Sequence, residues 1–288
     1  MIDFLQIVIY GIVLGSIIAL GAIGVSLIFG ILRFAHFAHG DLMTLGAYFA
    51  LAGVAGMSMP MFAAFGLALA ATALVAIGID RALYSRLQQV SPIILLISSV
   101  GVALMLRSLV QMIWGPDNQV YEQGITMPWV FAGGLRIQPT QVMIVGGAAG
   151  LMLLLHLFLQ HTRFGKAMRA MSDNPDLARL SGINTERVVI LTWIIAGVLA
   201  AAAGIFLGMD TRLHPIMGWK LLLPVFAAAI FGGIGKPYGA VAGALVIGLA
   251  QEMSTLVLPA AYKPAVAFAL MVIILVWRPT GIFRGKVL

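Results

Sequence analysis

The chain has 288 residues, of which 61% are hydrophobic and only 9% charged, and its mean hydropathy is +1.06. A soluble domain carries about 45–50% apolar and about 25% charged residues, so a water-soluble globule is excluded and an all-α polytopic membrane protein is expected. The absence of cysteine rules out a disulfide framework, a thiolate metal site and a cysteine nucleophile, and the net charge of +7 does not call for nucleic acid, because Lys and Arg gathered on cytoplasmic loops give the same sign.

In chain order, Met1-Ile2-Asp3 leads straight into apolar sequence without the basic n-region or small-residue cleavage site of a secretory signal, so the first stretch reads as a retained span. Residues 5–32 carry no charge and suffice for a tilted helix or for one span plus an irregular end. Residues 42–79 are too long for one helix and are divided by Gly56-Met-Ser-Met-Pro60, giving spans near 42–57 and 60–79. A short basic loop with Arg81 and Arg86 follows, then a span over 92–114, a polar loop over 115–138 containing Asp117 and Glu122, and a fifth span over 139–160. A polar island occupies 161–187. Beyond it come an Ala-rich span over 188–209 and a short loop with Asp210, Arg212, His214 and Lys220. Residues 221–260 are interrupted by the glycines of 232–239, which leaves two spans or a re-entrant pair. A last span over 264–277 precedes a basic tail with Arg278, Arg284 and Lys286. The total is eight or nine spans with Gly-interrupted elements, in a single transmembrane domain over 1–288.

The island holds five basic residues (Arg163, Lys166, Arg169, Arg179, Arg187) and three acidic ones (Asp173, Asp176, Glu186). Placing it with Arg81, Arg86 and the tail on one side of the bilayer puts Asp117 and Glu122 on the other, and an odd number of spans then sets Asp3 outside. The island is thereby cytoplasmic. Asn174 suits an N-cap, Pro175 the first helical position, Asp176 the positive dipole end and Gly182 the left-handed C′ position, which predicts a short helix over about 174–181. A second cap at Asn184, with Glu186 beside it, would open the next span. So short a helix is marginal alone in water and needs packing from the chain or a partner; an ordinary solvated loop is the other reading of the same residues.

Ile28-Phe29-Gly30 before Gly46-Ala47, and Ile230-Phe231-Gly232 before Gly243-Ala244, suggest an internal repeat with a site between pseudo-symmetric halves. His36 and His39 share a helical face, but they supply only two metal ligands and leave Asp41 undetermined as a third, so no metal is assigned. These residues either cap the end of a span or line a solute path. The 232–239 segment either packs backbones closely, the reading preferred here, or forms a re-entrant turn whose free amides bind a carboxylate. Arg107, Gln111, His156, Gln251 and Glu252 lie in or near spans, where charge usually faces a cavity or a partner, and Arg107 with Glu252 is an attractive pair. Trp114, Trp129 and Trp277 suit the interfacial belt.

The run Arg163-Phe-Gly-Lys166 through Asn174-Pro-Asp176 to Gly182 and Arg187 resembles the cytoplasmic loop of LivH-type permease subunits of branched-chain amino acid ABC importers. Phe37-Ala-His-Gly-Asp41 with Gly46-Ala-Tyr48, and Ala229-Ile-Phe-Gly-Gly-Ile-Gly235 with Gly239 and Gly243, resemble the same family. The family usually has Asn where this chain has His36, and the Glu-Ala-Ala core of the wider coupling loop is echoed only by Ala170 and Gly182.

The resemblance implies that 161–187 couples the pore to an ATPase through Arg163, Gly165, Lys166, Arg169, Asn174, Pro175, Asp176, Arg179 and Gly182. It also implies a solute path near His36, Phe37, His39, Gly40, Asp41, Gly232, Gly233, Gly235 and Glu252. The implied partners are a second permease subunit, homologous or identical, two cytoplasmic ATP-binding subunits that hold ATP and Mg, and a periplasmic binding protein, all at the bacterial inner membrane. No cofactor and no catalysis are expected in this chain. Its nearest approach to a phosphate loop, Gly235-Lys236, is followed by Pro237 and has Ile230 where a glycine is required. An ion-coupled secondary transporter is the alternative, for which only Glu252 and His156 speak.

Overall fold

Proline and glycine set the helix boundaries in the computed structural model, which describes residues 2–87, 91–121, 127–131, 134–278, 280–283 and 285. Glu122, Arg284 and Lys286 lie outside the described residues. Helix α1 (Ile2–Leu32) is followed by α2 (His39–Leu51), which ends in a π-helical turn (Ala52–Gly56), and by α3 (Met61–Ile79), which continues through a second π turn (Asp80–Tyr84) to Leu87. Arg81 and Arg86 therefore sit on helix, not in the expected loop.

Helices α4 (Pro92–Trp114) and α5 (Pro139–His161) both open on proline, whose missing N–H is no loss in a first turn. Ser91 accepts from the Ile93 amide to cap α4, and Gly115 at φ 82° ends it. Between them, the otherwise helical chain makes one small antiparallel hairpin, β1 (Trp129–Val130) with β2 (Arg136–Ile137). The island folds as α6 (Arg163–Asp173) and α7 (Pro175–Leu180), and α8 (Thr185–Asp210), α9 (Met217–Gly232), α10 (Pro237–Met253) and α11 (Lys263–Trp277) complete the order.

Among the described residues, seven helices are long and apolar enough to cross a membrane; α9 is a shorter apolar helix, and α2 with its π turn is the other short one. Residues 221–260 thus form two antiparallel helices joined by a tight turn. Helix α1 is the centre of the bundle, with 83% of its most apolar stretch buried, while α11 is peripheral at 6%. Without a hydrophobic force between helices in lipid, small residues do the packing. A Cβ on Gly248 would lie 2.5 Å from the Gly15 backbone, one on Gly204 would collide with the Met43 carbonyl, and Gly232 and Gly239 exclude side chains from each other's place.

The two halves share one succession: a long helix (α1, α8), a break of equal length (33–38, 211–216), a short helix (α2, α9) and a helix entered through proline (Pro60 before α3, Pro237 in α10). In this register Gly30, His36 and Gly40 correspond to Gly208, His214 and Gly218. The pairing of 28–30 with 230–232 is therefore replaced, because helix ends fix a register that short Gly/Ala matches do not. Helices α2 and α9 cross where Gly40 meets Gly218, since a Cβ on either would run into the other's carbonyl oxygen. From that crossing α9 runs back beside the first break, with the Phe226 and Phe37 rings 5.2 Å apart. The short helices are therefore antiparallel.

Candidate functional site

The first break is a buried polar junction. Backbone groups freed by an interrupted helix need partners inside a membrane, and α4 supplies them: Ser99 Oγ accepts from the Phe37 amide at 3.1 Å and reaches the Ala35 carbonyl at 3.5 Å. His36 is 1% exposed, and its Nε2 lies 3.1 Å from the Tyr84 hydroxyl of the α3 π turn. The Tyr84 ring stacks on Trp193 of α8 at 5.3 Å, with the His36 ring edge-on to both. His39 opens α2 against Gly24 of α1, where a Cβ would come within 2.5 Å of its ring.

Two residues on, Asp41 lies in the first turn of α2, where the helix dipole favours a carboxylate. It accepts from Arg107 Nε at 3.1 Å and Nη2 at 3.2 Å. The Arg107 guanidinium stands 4.6 Å over the ring of Trp219 on α9, a favourable cation–π distance. Thr44 closes the crossing, taking the Gly218 amide at 3.1 Å while donating to the Gly40 carbonyl at 3.3 Å. Asp41 is enclosed, whereas Arg107, Trp219 and Lys220 open toward the outside of the chain.

The island is built by local rules. Thr162 Oγ1 caps α6 through the Gly165 amide at 2.9 Å, and Gly165 lies so close to the end of α5 that a Cβ would reach the Leu159 Cα at 2.5 Å. Asn174 Oδ1 accepts from the Asp176 and Leu177 amides, each at 3.1 Å. At the far end of α7 the Gly182 amide donates to Arg179 and the Ile183 amide to Ala178, with Gly182 at φ 84°. This is the Schellman arrangement for which glycine is the preferred residue. Helix α7 thereby holds Leu177 and Leu180 at 61% and 85% exposure, beside Asp176 and Arg179. A polar cavity of about 570 Å³ lies between α7, the π turn of α3 and the start of α8, lined among others by Asp80, Arg81, Asp176, Arg179 and Glu186. Asp80 begins the π turn that Tyr84 ends. Asp80 and Arg81 of the π turn thus face Asp176 and Arg179 of α7 across the cavity, and Tyr84 at the end of the turn meets His36.

The sequence profile of the family described as "Branched-chain amino acid transport system / permease component" matches residues 7–275. This chain belongs to that family. The permease is 33% identical to the high-affinity branched-chain amino acid transport system permease protein LivH of Escherichia coli K12, over 97% of this chain and 95% of that one. It is 32% identical to BraD of Pseudomonas aeruginosa, with the same coverage. Among solved structures it resembles PsaBC from Streptococcus pneumoniae in complex with Fab, at a TM-score of 0.52 and 15% identity over 94% of this chain and 91% of that one, a likeness of fold alone. The permease is accordingly a multi-pass membrane component of an ABC-type importer.

Within the permease, His36, Phe37, His39, Gly40 and Asp41 come together at the crossing of α2 and α9. Glu252 does not join them. It pairs with Lys263 at 2.7 Å beyond the far end of α10, so the attractive Arg107–Glu252 pair is replaced by Arg107–Asp41 and Glu252–Lys263. Gly232, Gly233 and Gly235 sit at the island end. Their segment has few free amides for a carboxylate: the Gly233 amide donates to Ala229 and Ile230, that of Gly235 to Ser26 Oγ, and that of Lys236 to Gly233. The Ile282 and Phe283 amides also occupy the Phe231 and Gly232 carbonyls, so close packing describes the turn. Of the island residues, Arg169 turns back to Gln160 of α5, with Nη1 2.9 Å from Oε1, while Arg163 and Lys166 remain exposed. Residue-by-residue reading passed over Tyr84, Ser99, Trp193 and Trp219, all ordinary packing residues by type. The one available signal was that Asp41 and Arg107 are opposite charges inside apolar sequence.

Proposed function

We infer that the permease forms half of the translocation pathway for branched-chain amino acids or related small polar solutes, with the path passing the Asp41–Arg107–Trp219 junction. The observation that carries this reading is that the exposed, double-capped α7 and the π turn of α3 face each other across one polar cavity, and that Tyr84 at the end of that turn is bonded to His36 in the break. Helix α7 with Leu177 and Leu180 docks in a groove of a cytoplasmic ATPase. Two such subunits bind ATP and Mg and supply the power stroke, since this chain carries no phosphate loop. A second permease subunit, identical or homologous, completes the path, and a periplasmic binding protein delivers the solute to this inner-membrane assembly. Displacement of α7 bears on the π turn of α3 and, through Tyr84, on the break that sets where α2 begins; a packed element with two discrete arrangements transmits such a shift better than a flexible one.

The test is Gly182→Val in proteoliposomes holding the assembled transporter and its binding protein. A β-branched side chain at positive φ is disfavoured by at least about 1–2 kcal/mol, so α7 loses its C-cap. Leucine uptake per ATP hydrolysed is expected to fall about tenfold or more with normal membrane insertion, and an unchanged ratio would remove the docking role from α7.

A further inference from the structure

On the face formed by α5, α10 and α1, a groove of about 290 Å³ is walled by Leu153, Leu155, Leu159 and Val241. It adjoins a smaller cavity of about 70 Å³ that carries Arg169 and Ser172 at its mouth. The groove lies within the last turns of α5 and the first of α10, inside roughly 12 Å of the helix ends by helical rise, which is within the acyl-chain depth of one leaflet.

Its polar groups are ordered along one edge. His156 Nδ1 lies 3.0 Å from the Tyr238 hydroxyl, Gln160 Nε2 donates to that hydroxyl at 3.2 Å, and Arg169 donates to Gln160 Oε1 at 2.9 Å. Each member of the ladder is bonded to the next, and the ladder ends at the Arg169 guanidinium, which has donors to spare. Arg33 converges on the same mouth. Its backbone takes the left-handed turn at φ 60°, uncommon for a residue with a side chain, and its Nη2 reaches the Ser172 carbonyl at 3.4 Å. Lys236 lies between Gly235 and Pro237, both of which line the smaller cavity. Among the described residues, no carboxylate lines either cavity.

We propose that this face is a binding site for an anionic phospholipid of the island-side leaflet, with one acyl chain along Leu153 and Val241 and the phosphate between Arg169 and Arg33. Basic groups at a membrane surface each favour an anionic lipid by about fivefold, and the apolar groove localises that preference to one seat. Such a lipid would brace α6 against α5 and α10 at the root of the island.

The experiment is native mass spectrometry of the full-length chain in its membrane complex, taken from nanodiscs with equal amounts of phosphatidylglycerol and phosphatidylcholine. Wild type is expected to retain phosphatidylglycerol over phosphatidylcholine by roughly 25-fold, about fivefold for each of the two arginines. The Arg33→Gln/Arg169→Gln pair should lower that preference by roughly 25-fold, and Leu153→Trp, which fills the groove and leaves every charge in place, should abolish retention of either lipid. Equal retention of the two lipids by wild type overturns the proposal whether or not the variants fold, as does retention undiminished in Leu153→Trp. The chain has no native cysteine, so Leu153→Cys provides a single thiol. Its cross-linking to a neighbouring subunit would make the face a protein contact and equally overturn the lipid site.

Discussion

At the first break His36 is buried and bonded to Tyr84, and the backbone leans on Ser99 of α4. At the second break the corresponding His214 is half-buried, its Nδ1 accepting from the Ile216 amide two residues away at 3.2 Å. There the backbone is tied instead by a bridge between Gln119 and Leu213 in the connecting loop. The two halves repeat a backbone but not its chemistry. One break is bonded through side chains to the π turn of α3; the other has its histidine bonded within the break and its backbone bridged to Gln119. The difference resides in Tyr84, Trp193 and the π turn rather than in the helices.

The largest effect is expected where the halves touch. Gly40→Val or Gly218→Val would force a side chain into the other helix's carbonyl, and both should abolish folding of the crossing to the same degree, read as loss of monodisperse protein on size-exclusion chromatography. Tolerance of one and not the other would break the symmetry of the contact. Next comes Asp41→Ala, which leaves Arg107 without its carboxylate. Removing one member of a buried pair costs about 3–5 kcal/mol, so a marked fall in thermal midpoint in detergent should accompany lost uptake, and an unshifted midpoint would show that solvent already screens the pair.

Tyr84→Phe removes one hydrogen bond, about 1 kcal/mol of stability, yet should raise ATP hydrolysis per solute transported severalfold, because it cuts the only side-chain bond joining the π turn to the break among the described residues. His214→Ala at the second break should be smallest, within about 1 kcal/mol, with coupling unchanged. Equal coupling defects in these last two variants would mean that both breaks carry force.

The island was legible because its rules are local. Asn174, Pro175, Gly182 and Asn184 each act on amides within four residues, so composition and spacing suffice to place α7 and its caps. Exposure of Leu177 and Leu180 was not legible, since it depends on which face of α7 Ala178 buries. The break resisted for the opposite reason. His36 and Asp41 stand out in apolar sequence, but their partners Tyr84 and Arg107 come from α3 and α4, and nothing in a linear pattern selects Arg107 for Asp41 over Glu252. Arg81 and Arg86 misled because a π turn carries helix past the point where charge suggests a loop. The repeat register failed because glycine pairs are common in such a chain, whereas equal break lengths are visible only once helices have ends.

The turn after α9 also orders events in time. The amides of Ile282 and Phe283 cap the Phe231 and Gly232 carbonyls, so the end of α9 is completed by residues that the ribosome adds only after α10 and α11. During synthesis the Gly233 amide can cap α9 at once, but the Phe231 and Gly232 carbonyls must wait while two further helices enter the bilayer. The segment after α11 therefore closes a turn whose first helix was laid down much earlier.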